Sequence, residues 1–465
     1  MVELASGEGV ASLRAELSAI LGDGGLLERP DFETRSCDPF RHVPILSPFI
    51  ARPSDAHQLS AVIEAAAAHD FCIVTHGGRT GVAGGAFTRP DSIVVSLERM
   101  NRIEEICEVD QLAVVQAGVP IQALHEAAEA RGLFYPVDLG AKGSATLGGT
   151  ISTNAGGNHV VRWGMTRQNL LGVEGVLADG TIVSSLNRLV KNNTGYDLKQ
   201  LFTGTEGTIG IVTKAVVKLV AMPTTQSVAL VAVDGMSKVL SLLNLARAMP
   251  TLSAFEVMWR DYYDLMAASN SGRRPLEPGH SYYVLVESMG NDQEADEAAF
   301  ERFVHQATQQ DLVVDGVVAS SEKQRRDLWH VREGSEIIVR EFGKIVSFDI
   351  SAELGSIEQV VEEAYAALRQ RFPQVRGTTF GHLGDNNIHL GIGIGEETVE
   401  RTAEIEEIVF DVLARHHGAI TAEHGIGTLK RQFLRKYLSE GEMAAMRRMR
   451  DAFDPDRRLN PDVML

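Results

Sequence analysis

The segment THGGRTGVAGGA at residues 75–86 follows an apolar run at residues 71–74 that is typical of a β-strand. Five of the nine residues from Gly77 to Gly85 are glycines. Because glycine has no Cβ atom, successive backbone N–H groups can approach an anion such as a phosphate. The segment lacks the GxGxxG spacing of a Rossmann fold and the GxxxxGKS/T spacing of a P-loop. By itself it predicts either an anion-binding loop or an ordinary tight turn.

Two further segments share this glycine-rich character and add small polar side chains. The first, LGAKGSATLGGTISTNAGGN at residues 139–158, interleaves glycines with hydroxyl groups and an asparagine. The second, TGTEGTIGIV at residues 203–212, adds a carboxylate at Glu206. Such residues can place hydrogen-bond donors along a phosphate and along the edge of a ring. The three segments together therefore favour a cofactor site over a simple turn.

This combination of segments resembles the FAD-binding domain of the vanillyl-alcohol-oxidase superfamily, and the similarity extends from about residue 45 to the end of the chain. Within that superfamily the chain looks most like the FAD-linked D-2-hydroxyacid dehydrogenases, which include D-lactate, D-2-hydroxyglutarate and glycolate-oxidising enzymes. The resemblance implies an α+β fold with a two-part FAD-binding domain, an antiparallel-sheet substrate (cap) domain and a C-terminal helical segment. It also implies cofactor-binding positions at His76, Gly77, Gly78, Arg79, Thr80, Gly81, Gly85, Gly140, Ser144, Gly148, Gly149, Ser152, Asn154, Gly157, Glu206 and Ile211.

The way in which the flavin is held follows from one departure within the first segment. Relatives that bind FAD covalently have a histidine directly after the Gly-Gly pair, and this chain has Arg79 there. We therefore expect non-covalent FAD. His76 precedes the pair, and we interpret it as a side chain that orients the backbone.

The domain organisation is predicted from the distribution of glycine, which is dense up to Gly210 and sparse from 225 to 375. We expect an N-terminal helical segment at 1–44, an FAD-binding domain at 45–224, a substrate domain at 225–420 and a C-terminal segment at 421–465. A hairpin at 173–184 should turn at Asp179-Gly180. The substrate domain should contain an antiparallel sheet backed by helices, including one at 323–341.

A second cluster of polar residues lies in the segment GHLGDNNIH at residues 381–389. If residues 384–387 close a hairpin, His382 and His389 lie directly opposite each other and can chelate a divalent metal. A structural histidine pair is the alternative. The later segment TAEHGIG at residues 421–427 adds Glu423 and His424. The resemblance implies that His382, His389 and Glu423 bind Zn²⁺ or Mn²⁺ and that His424 is the catalytic base.

Substrate recognition is predicted at Arg332 and Ser347. Arg332 matches an arginine that can bind a substrate carboxylate through two hydrogen bonds, although a solvated helix face is the alternative. Ser347 stands where enzymes acting on dicarboxylates have lysine, and Gly391 stands where they have asparagine. The loss of a cation and an amide favours a short, or a bulkier and less acidic, 2-hydroxy acid over 2-hydroxyglutarate.

The sequence thus predicts an FAD-dependent dehydrogenase that oxidises a small D-2-hydroxy acid and passes electrons to an electron-transfer flavoprotein, a quinone or a cytochrome. The alternatives are a D-2-hydroxyglutarate dehydrogenase or glycolate oxidase subunit proper, a non-redox transferase resembling alkyl-dihydroxyacetone-phosphate synthase, and a flavin-carrying binding protein. The net charge of −18 argues against nucleic acid as a partner. Three scattered cysteines and no long apolar run predict a cytoplasmic enzyme without a transmembrane segment, for which a homodimer is the default expectation.

Overall fold

The bounds of the helices and strands come from a computed structural model, which describes residues 7–269, 274–334 and 336–465. Residues 1–6 of the predicted N-terminal segment lie outside the described residues. The strands are β1 Leu26–Glu28, β2 Phe49–Ala51, β3 Cys72–His76, β4 Ser92–Ser96, β5 Ile103–Cys107, β6 Leu112–Gln116, β7 Leu133–Phe134, β8 Leu170–Leu177, β9 Ile182–Ser185, β10 Gly210–Lys218, β11 Val220–Ala221, β12 Thr225–Val233, β13 Leu252–Trp259, β14 Tyr282–Gly290, β15 Asp315–Val318, β16 Val346–Ser351, β17 Arg376–Gly381 and β18 Asn387–Gly393.

The α-helices of the described residues have the following bounds. They are α1 Gly7–Leu21, α2 Arg29–Phe32, α3 Ala56–Ala68, α4 Ile121–Glu129, α5 Leu147–Thr153, α6 Val160–Trp163, α7 Leu198–Phe202, α8 Met236–Ala246, α9 Arg260–Ser269, α10 Gln293–Gln309, α11 Glu322–Glu333, α12 Glu336–Phe342, α13 Ile357–Arg371, α14 Thr402–Arg415, α15 Leu434–Tyr437 and α16 Glu440–Phe453. Asp292 caps α10 through a hydrogen bond from the backbone N–H of Ala295. None of the described helices combines the length and apolarity that crossing a membrane requires.

The first of two structural units comprises residues 1–157, 164–222 and 423–465. One of its sheets has the order β1-β2-β4-β3, in which β4 pairs in parallel with both β2 and β3. A second, fully antiparallel sheet has the order β5-β6-β10-β8-β9. Every residue of β4 is buried, as is usual for a parallel strand covered on both faces. The predicted hairpin is confirmed as β8 and β9, which pair antiparallel around the Asp179-Gly180 turn.

The carboxyl terminus of the chain belongs to this first unit and joins its parallel sheet. Leu459 forms a parallel bridge with Ile73 of β3, and the backbone N–H of Asn460 donates to the Ile73 carbonyl oxygen. The Arg450 guanidinium is buried and donates to three carbonyl oxygens of the last residues, those of Leu459, Asn460 and Val463. The C-terminal segment is therefore fixed beside the strand that leads into the first glycine-rich segment.

The second unit comprises residues 158–163 and 223–422. Its seven strands form one antiparallel sheet in the order β15-β12-β14-β13-β17-β18-β16. Helices pack against this sheet around a buried aromatic cluster that includes Tyr262, Tyr263 and Tyr283. The predicted helix at 323–341 is wrong as a single element, since α11 ends at Glu333 and α12 begins at Glu336. The sequence analysis also missed β13, which lies in the middle of the sheet.

Candidate active site

The two glycine-rich segments of the first unit meet at one cleft. A Cβ atom added at Gly78 would lie 1.9 Å from the Ser144 carbonyl oxygen, and one added at Gly77 would lie 2.5 Å from Thr146 Oγ1. The backbones of the two segments therefore touch at positions where only glycine fits. The cleft is lined by Gly77, Gly78, Arg79, Thr80, Gly81, Gly85, Gly148, Gly149, Ser152, Glu206, Ile211, His424 and Asn460, among others.

Several observations indicate that the cleft suits a dinucleotide such as FAD. The hydroxyl of Thr146 lines this cleft and is buried without a hydrogen-bond partner among the described residues. Such a group is satisfied when a ligand supplies the missing partner. An added Cβ atom at Gly81, which lines the cleft, would meet nothing within 4 Å.

Five of the predicted cofactor positions do not line the cleft. His76 turns its Nε2 atom toward the Ala86 carbonyl oxygen at 2.9 Å, and the Asn154 side chain accepts the Arg167 backbone N–H at 3.0 Å. Gly157 donates its N–H to Glu423 Oε1 at 2.7 Å. Gly140 and Ser144 lie in the second segment outside the lining. The hydrogen bonds of His76, Asn154 and Gly157 fix the backbone near the cleft.

The electrostatics of the first glycine-rich segment are set by His76 and Arg79. His76 is buried, and this burial lowers the pKa of its imidazole to about 4, so the ring is neutral at physiological pH. Burial and the nearby Arg35 also lower the pKa of Arg79, but a guanidinium remains protonated. The cleft therefore has a cationic side chain at the position where covalent relatives have a histidine.

A substitution at Gly78 tests whether the contact between the two glycine-rich segments is needed for flavin binding. We expect Gly78→Ala to lower the thermal stability and the flavin content of the purified protein, because the new methyl group collides with the Ser144 carbonyl and forces a backbone shift that costs roughly 1–3 kcal/mol. Gly143→Ala is the matched control, since a Cβ atom there meets nothing within 4 Å. Equal flavin content and melting temperature in the two variants would show that the contact between segments is unimportant.

Glu206 fixes the loop that follows His424. Its carboxylate accepts the backbone N–H groups of Ile426 at 2.7 Å and Gly427 at 2.9 Å, and its own carbonyl oxygen accepts the side-chain amide of Asn460 at 2.5 Å. Burial raises the pKa of Glu206, although the two backbone donors oppose that shift. The carboxylate is thus occupied by the loop, and His424 lies in the same cleft as the glycines. Asn460 was missed by the sequence analysis.

In the second unit the structure corrects the geometry of the two histidines. His389 pairs in register with Phe380, and His382 lies outside the strands, before a short 3₁₀ turn at Leu383–Asp385. The predicted register was wrong because the turn is wider than four residues and Asn386 adopts a left-handed conformation, with φ of 73°. The two rings nevertheless approach each other, with centroids 5.5 Å apart and planes at 84°.

Arg332 is buried rather than on a solvated helix face, with 5% of its surface exposed. Its Nε and Nη2 atoms lie 2.8 and 2.7 Å from one carboxylate oxygen of Glu256. The other carboxylate oxygen lies 2.9 Å from His382 Nδ1. Burial opposes ionisation of Glu256, but the charges of His382 and Arg332 and their hydrogen bonds hold its pKa below the usual value. Glu256 therefore connects two of the predicted site residues.

Asp349 is a second buried carboxylate of this unit, and it lies opposite His389 in the β16–β18 pairing. It accepts the Asn387 side-chain amide at 2.7 Å, the Thr421 hydroxyl at 3.1 Å and the Ala422 N–H at 3.2 Å. The backbone is thus anchored beside the histidine-bearing strand at Ala422, and Glu423 is the next residue in the chain.

Ser347 and Gly391 face each other directly on these same strands. They are paired in register, two residues along from the pair formed by Asp349 and His389. Side chains two residues apart share one face of a strand. Ser347 and Gly391, the two positions at which this chain differs from enzymes acting on dicarboxylates, therefore lie on the face that carries His389. A Cβ atom at Gly391 would lie 3.2 Å from Thr378 Oγ1 and 3.3 Å from Ile338 Cγ2.

Comparisons with known proteins identify the same two parts. The family described as "FAD binding domain" matches residues 47–185, and that described as "FAD linked oxidases, C-terminal domain" matches residues 222–464. The D-2-hydroxyglutarate dehydrogenase of Xanthomonas citri is 36% identical over 89% of this chain and 88% of its own length. That of Stutzerimonas stutzeri is 34% identical over 96% and 97%. A putative mitochondrial D-lactate dehydrogenase of Schizosaccharomyces pombe is 34% identical over 87% and 79%.

Solved structures support the fold alone, because their sequence identity is low. A p-cresol methylhydroxylase matches with a TM-score of 0.79 and 14% identity over 98% of this chain and 97% of its own. An alkyldihydroxyacetonephosphate synthase matches with a TM-score of 0.76 and 14% identity over 97% and 85%. The predicted vanillyl-alcohol-oxidase-type fold is confirmed. The chain therefore belongs to the FAD-linked D-2-hydroxyacid dehydrogenase family, whose members are flavin-dependent oxidoreductases.

Proposed function

We propose that this protein is a dehydrogenase that uses non-covalent FAD to oxidise a D-2-hydroxy acid to the 2-oxo acid. The observation that carries the proposal is that His424 lines the same cleft as the glycine-rich segments. The names of the relatives, D-2-hydroxyglutarate and D-lactate dehydrogenases, support this class of substrate. Arg79 at the position of the covalent histidine supports non-covalent binding.

The residues divide the chemistry between them. FAD, when bound, supplies the two-electron oxidation. The His424 imidazole accepts the proton of the substrate hydroxyl group. Arg332 binds the substrate carboxylate through Nη1, the one guanidinium nitrogen for which no partner is found among the described residues. Glu206 orients the His424 loop through its two backbone hydrogen bonds.

We also propose a divalent metal, Zn²⁺ or Mn²⁺, held by His382, His389 and Glu423. Two imidazoles and a carboxylate suit either ion and leave a position open for substrate. The proposal is supported by the two histidine rings, whose centroids lie 5.5 Å apart, and by Asp349, which anchors the chain one residue before Glu423. The metal would supply Lewis-acid polarisation of the substrate hydroxyl and carboxylate oxygens.

A panel of D- and L-2-hydroxy acids with an artificial dye as acceptor tests the activity. We expect dye reduction with one or more D-acids and little with their L-enantiomers. Absence of turnover with every D-2-hydroxy acid, in protein that contains FAD, would contradict the proposal.

Electron-transfer flavoprotein, a quinone or a cytochrome is the proposed natural electron acceptor. The homodimer and the cytoplasmic location stay predictions.

D-2-hydroxyglutarate itself is the second candidate substrate, since most of the similar relatives carry that name. Ser347 and Gly391 favour a substrate without a second carboxylate. The surroundings of Gly391 include the buried side chain of Ile338, which offers no charge to a distal carboxylate. The fold of the alkyldihydroxyacetonephosphate synthase is shared, but the paired histidines favour a dehydrogenase over a transferase of that class.

The substrate preference can be tested by restoring the missing groups. We expect the double variant Ser347→Lys with Gly391→Asn to raise kcat/KM for D-2-hydroxyglutarate relative to D-lactate by roughly tenfold or more, because one new charge-assisted hydrogen bond is worth about 1.5–3 kcal/mol. Ser237→Lys adds the same charge at another exposed position of this unit. A wild-type enzyme that already prefers D-2-hydroxyglutarate would favour the second candidate instead.

A further inference from the structure

We infer that Glu256 is a positioning residue that fixes His382 for metal binding and Arg332 for binding of the substrate carboxylate. The inference rests on the proposed function. Glu256 lies on β13, the central strand of the seven-stranded sheet, and 1% of its surface is exposed. It is 126 residues from His382 and 76 residues from Arg332 in sequence, so only the fold brings the three together.

The first consequence concerns the tautomer of His382. An ionised carboxylate can only accept hydrogen bonds, so the 2.9 Å contact with Glu256 requires His382 Nδ1 to carry a proton. When His382 binds a metal ion, the ring is neutral, its proton is on Nδ1 and its lone pair on Nε2 is directed to the metal. Carboxylates that accept the second N–H of a metal-binding histidine fix its ring orientation and raise its basicity. Glu256 has the contact that this role requires.

The second consequence concerns Arg332. Glu256 accepts hydrogen bonds from the Nε and Nη2 atoms of Arg332. The centroid of the Phe380 ring lies 4.8 Å from the guanidinium carbon, and the Tyr262 hydroxyl donates to the backbone carbonyl oxygen of Arg332 at 2.6 Å. These contacts leave Nη1 on the opposite edge of the guanidinium. Loss of the carboxylate would leave a buried cation without a counter-charge, within 3.5 Å of His382. One carboxylate therefore sets the geometry of two groups.

Two other buried carboxylates of the same sheet do not share this position. The Asp349 carboxylate lies 3.9 Å from His389 Nδ1. It accepts hydrogen bonds from Asn387 and from residues 421 and 422 instead. Glu287, on the neighbouring strand β14, is also 1% exposed and also contacts a histidine, with His159 Nε2 at 3.2 Å. Its remaining partners are Gln226, Ser253 and Trp329. Glu287 is thus a matched control for burial and for histidine pairing.

The test compares Glu256→Gln, Glu256→Asp, Glu287→Gln and His382→Ala as full-length FAD-loaded proteins. The primary measurement is Zn²⁺ affinity by competition with a chromophoric chelator, and the second is the separation of KM from kcat with the best 2-hydroxy acid. We expect Glu256→Gln to weaken Zn²⁺ binding by roughly 10–100-fold and to raise KM, with FAD content unchanged. Glu256→Asp, which keeps the charge, should recover part of the affinity, and Glu287→Gln should bind Zn²⁺ like the wild type.

Wild-type Zn²⁺ affinity in Glu256→Gln, or equal losses in Glu256→Gln and Glu287→Gln, would overturn the inference. If Glu256→Gln does not fold, Glu256→Asp is used instead. Its Zn²⁺ affinity should lie below that of the wild type, because the aspartate side chain is one methylene shorter and its carboxylate lies farther from His382. Wild-type affinity in Glu256→Asp would then overturn the inference. His382→Ala distinguishes failure of the Glu256 inference from failure of the proposed metal site. Undiminished Zn²⁺ binding in that variant contradicts the metal site itself.

Discussion

Replacement of His424 by alanine is expected to lower kcat by roughly 10²–10⁴-fold while the flavin remains bound. The variant loses the group proposed to accept the hydroxyl proton, but it keeps the glycine-rich segments and the two hydrogen bonds from Glu206 that hold the loop. The measurements are dye reduction by the best D-2-hydroxy acid and the visible absorbance of the bound flavin. Because alanine adds no bulk to the cleft, loss of FAD binding is not the expected cause.

The matched control for His424 is His57→Ala, which removes an exposed histidine of α3 in the same unit. That variant should have wild-type turnover and flavin content. If His424→Ala retained most of its turnover, another group would have to accept the proton, and the assignment of the base would be wrong.

Removal of the metal is expected to have the second largest effect. Lewis-acid stabilisation by a bound metal is worth several kcal/mol, so His389→Ala or dialysis against a chelator should lower turnover by roughly 100-fold or more. Added Zn²⁺ or Mn²⁺ should restore the dialysed wild-type enzyme but not the variant. The measurement is dye reduction paired with metal content. His305→Ala, at an exposed position of α10, should behave as the wild type. Full activity in metal-free protein would exclude the metal from the mechanism.

Local signals in the sequence predicted much of the fold. The Asp179-Gly180 turn identified the hairpin of β8 and β9. This prediction succeeds because a two-residue turn depends on residues that are close together in the chain.

The failures have a common cause in contacts between distant segments. The hairpin register of His389 depended on the length of a turn that a 3₁₀ segment and a left-handed Asn386 extend. Strand β13 was missed, and with it Glu256, whose partners lie far away in the sequence. One signal was present: a single carboxylate in the mostly apolar stretch LSAFEVMW, residues 252–259. A charge buried there requires a cationic or hydrogen-bonding partner, which is what the structure supplies.

Glu206 illustrates the same limit at the level of a single residue. Sequence resemblance placed it beside the flavin, and it does line the cleft. Its carboxylate, however, binds the backbone N–H groups of residues 426 and 427, more than 200 positions later. The residue type and its segment could be predicted, but its hydrogen-bond partners could not.

The most direct test of the central claim is anaerobic mixing of the FAD-loaded protein with a D-2-hydroxy acid in the absence of any acceptor. If the protein is the proposed dehydrogenase, one equivalent of substrate should bleach the visible flavin absorbance and yield one equivalent of 2-oxo acid, and the His424→Ala variant should do so at least 100-fold more slowly. A flavin that stays oxidised with every D-2-hydroxy acid tested would contradict the account.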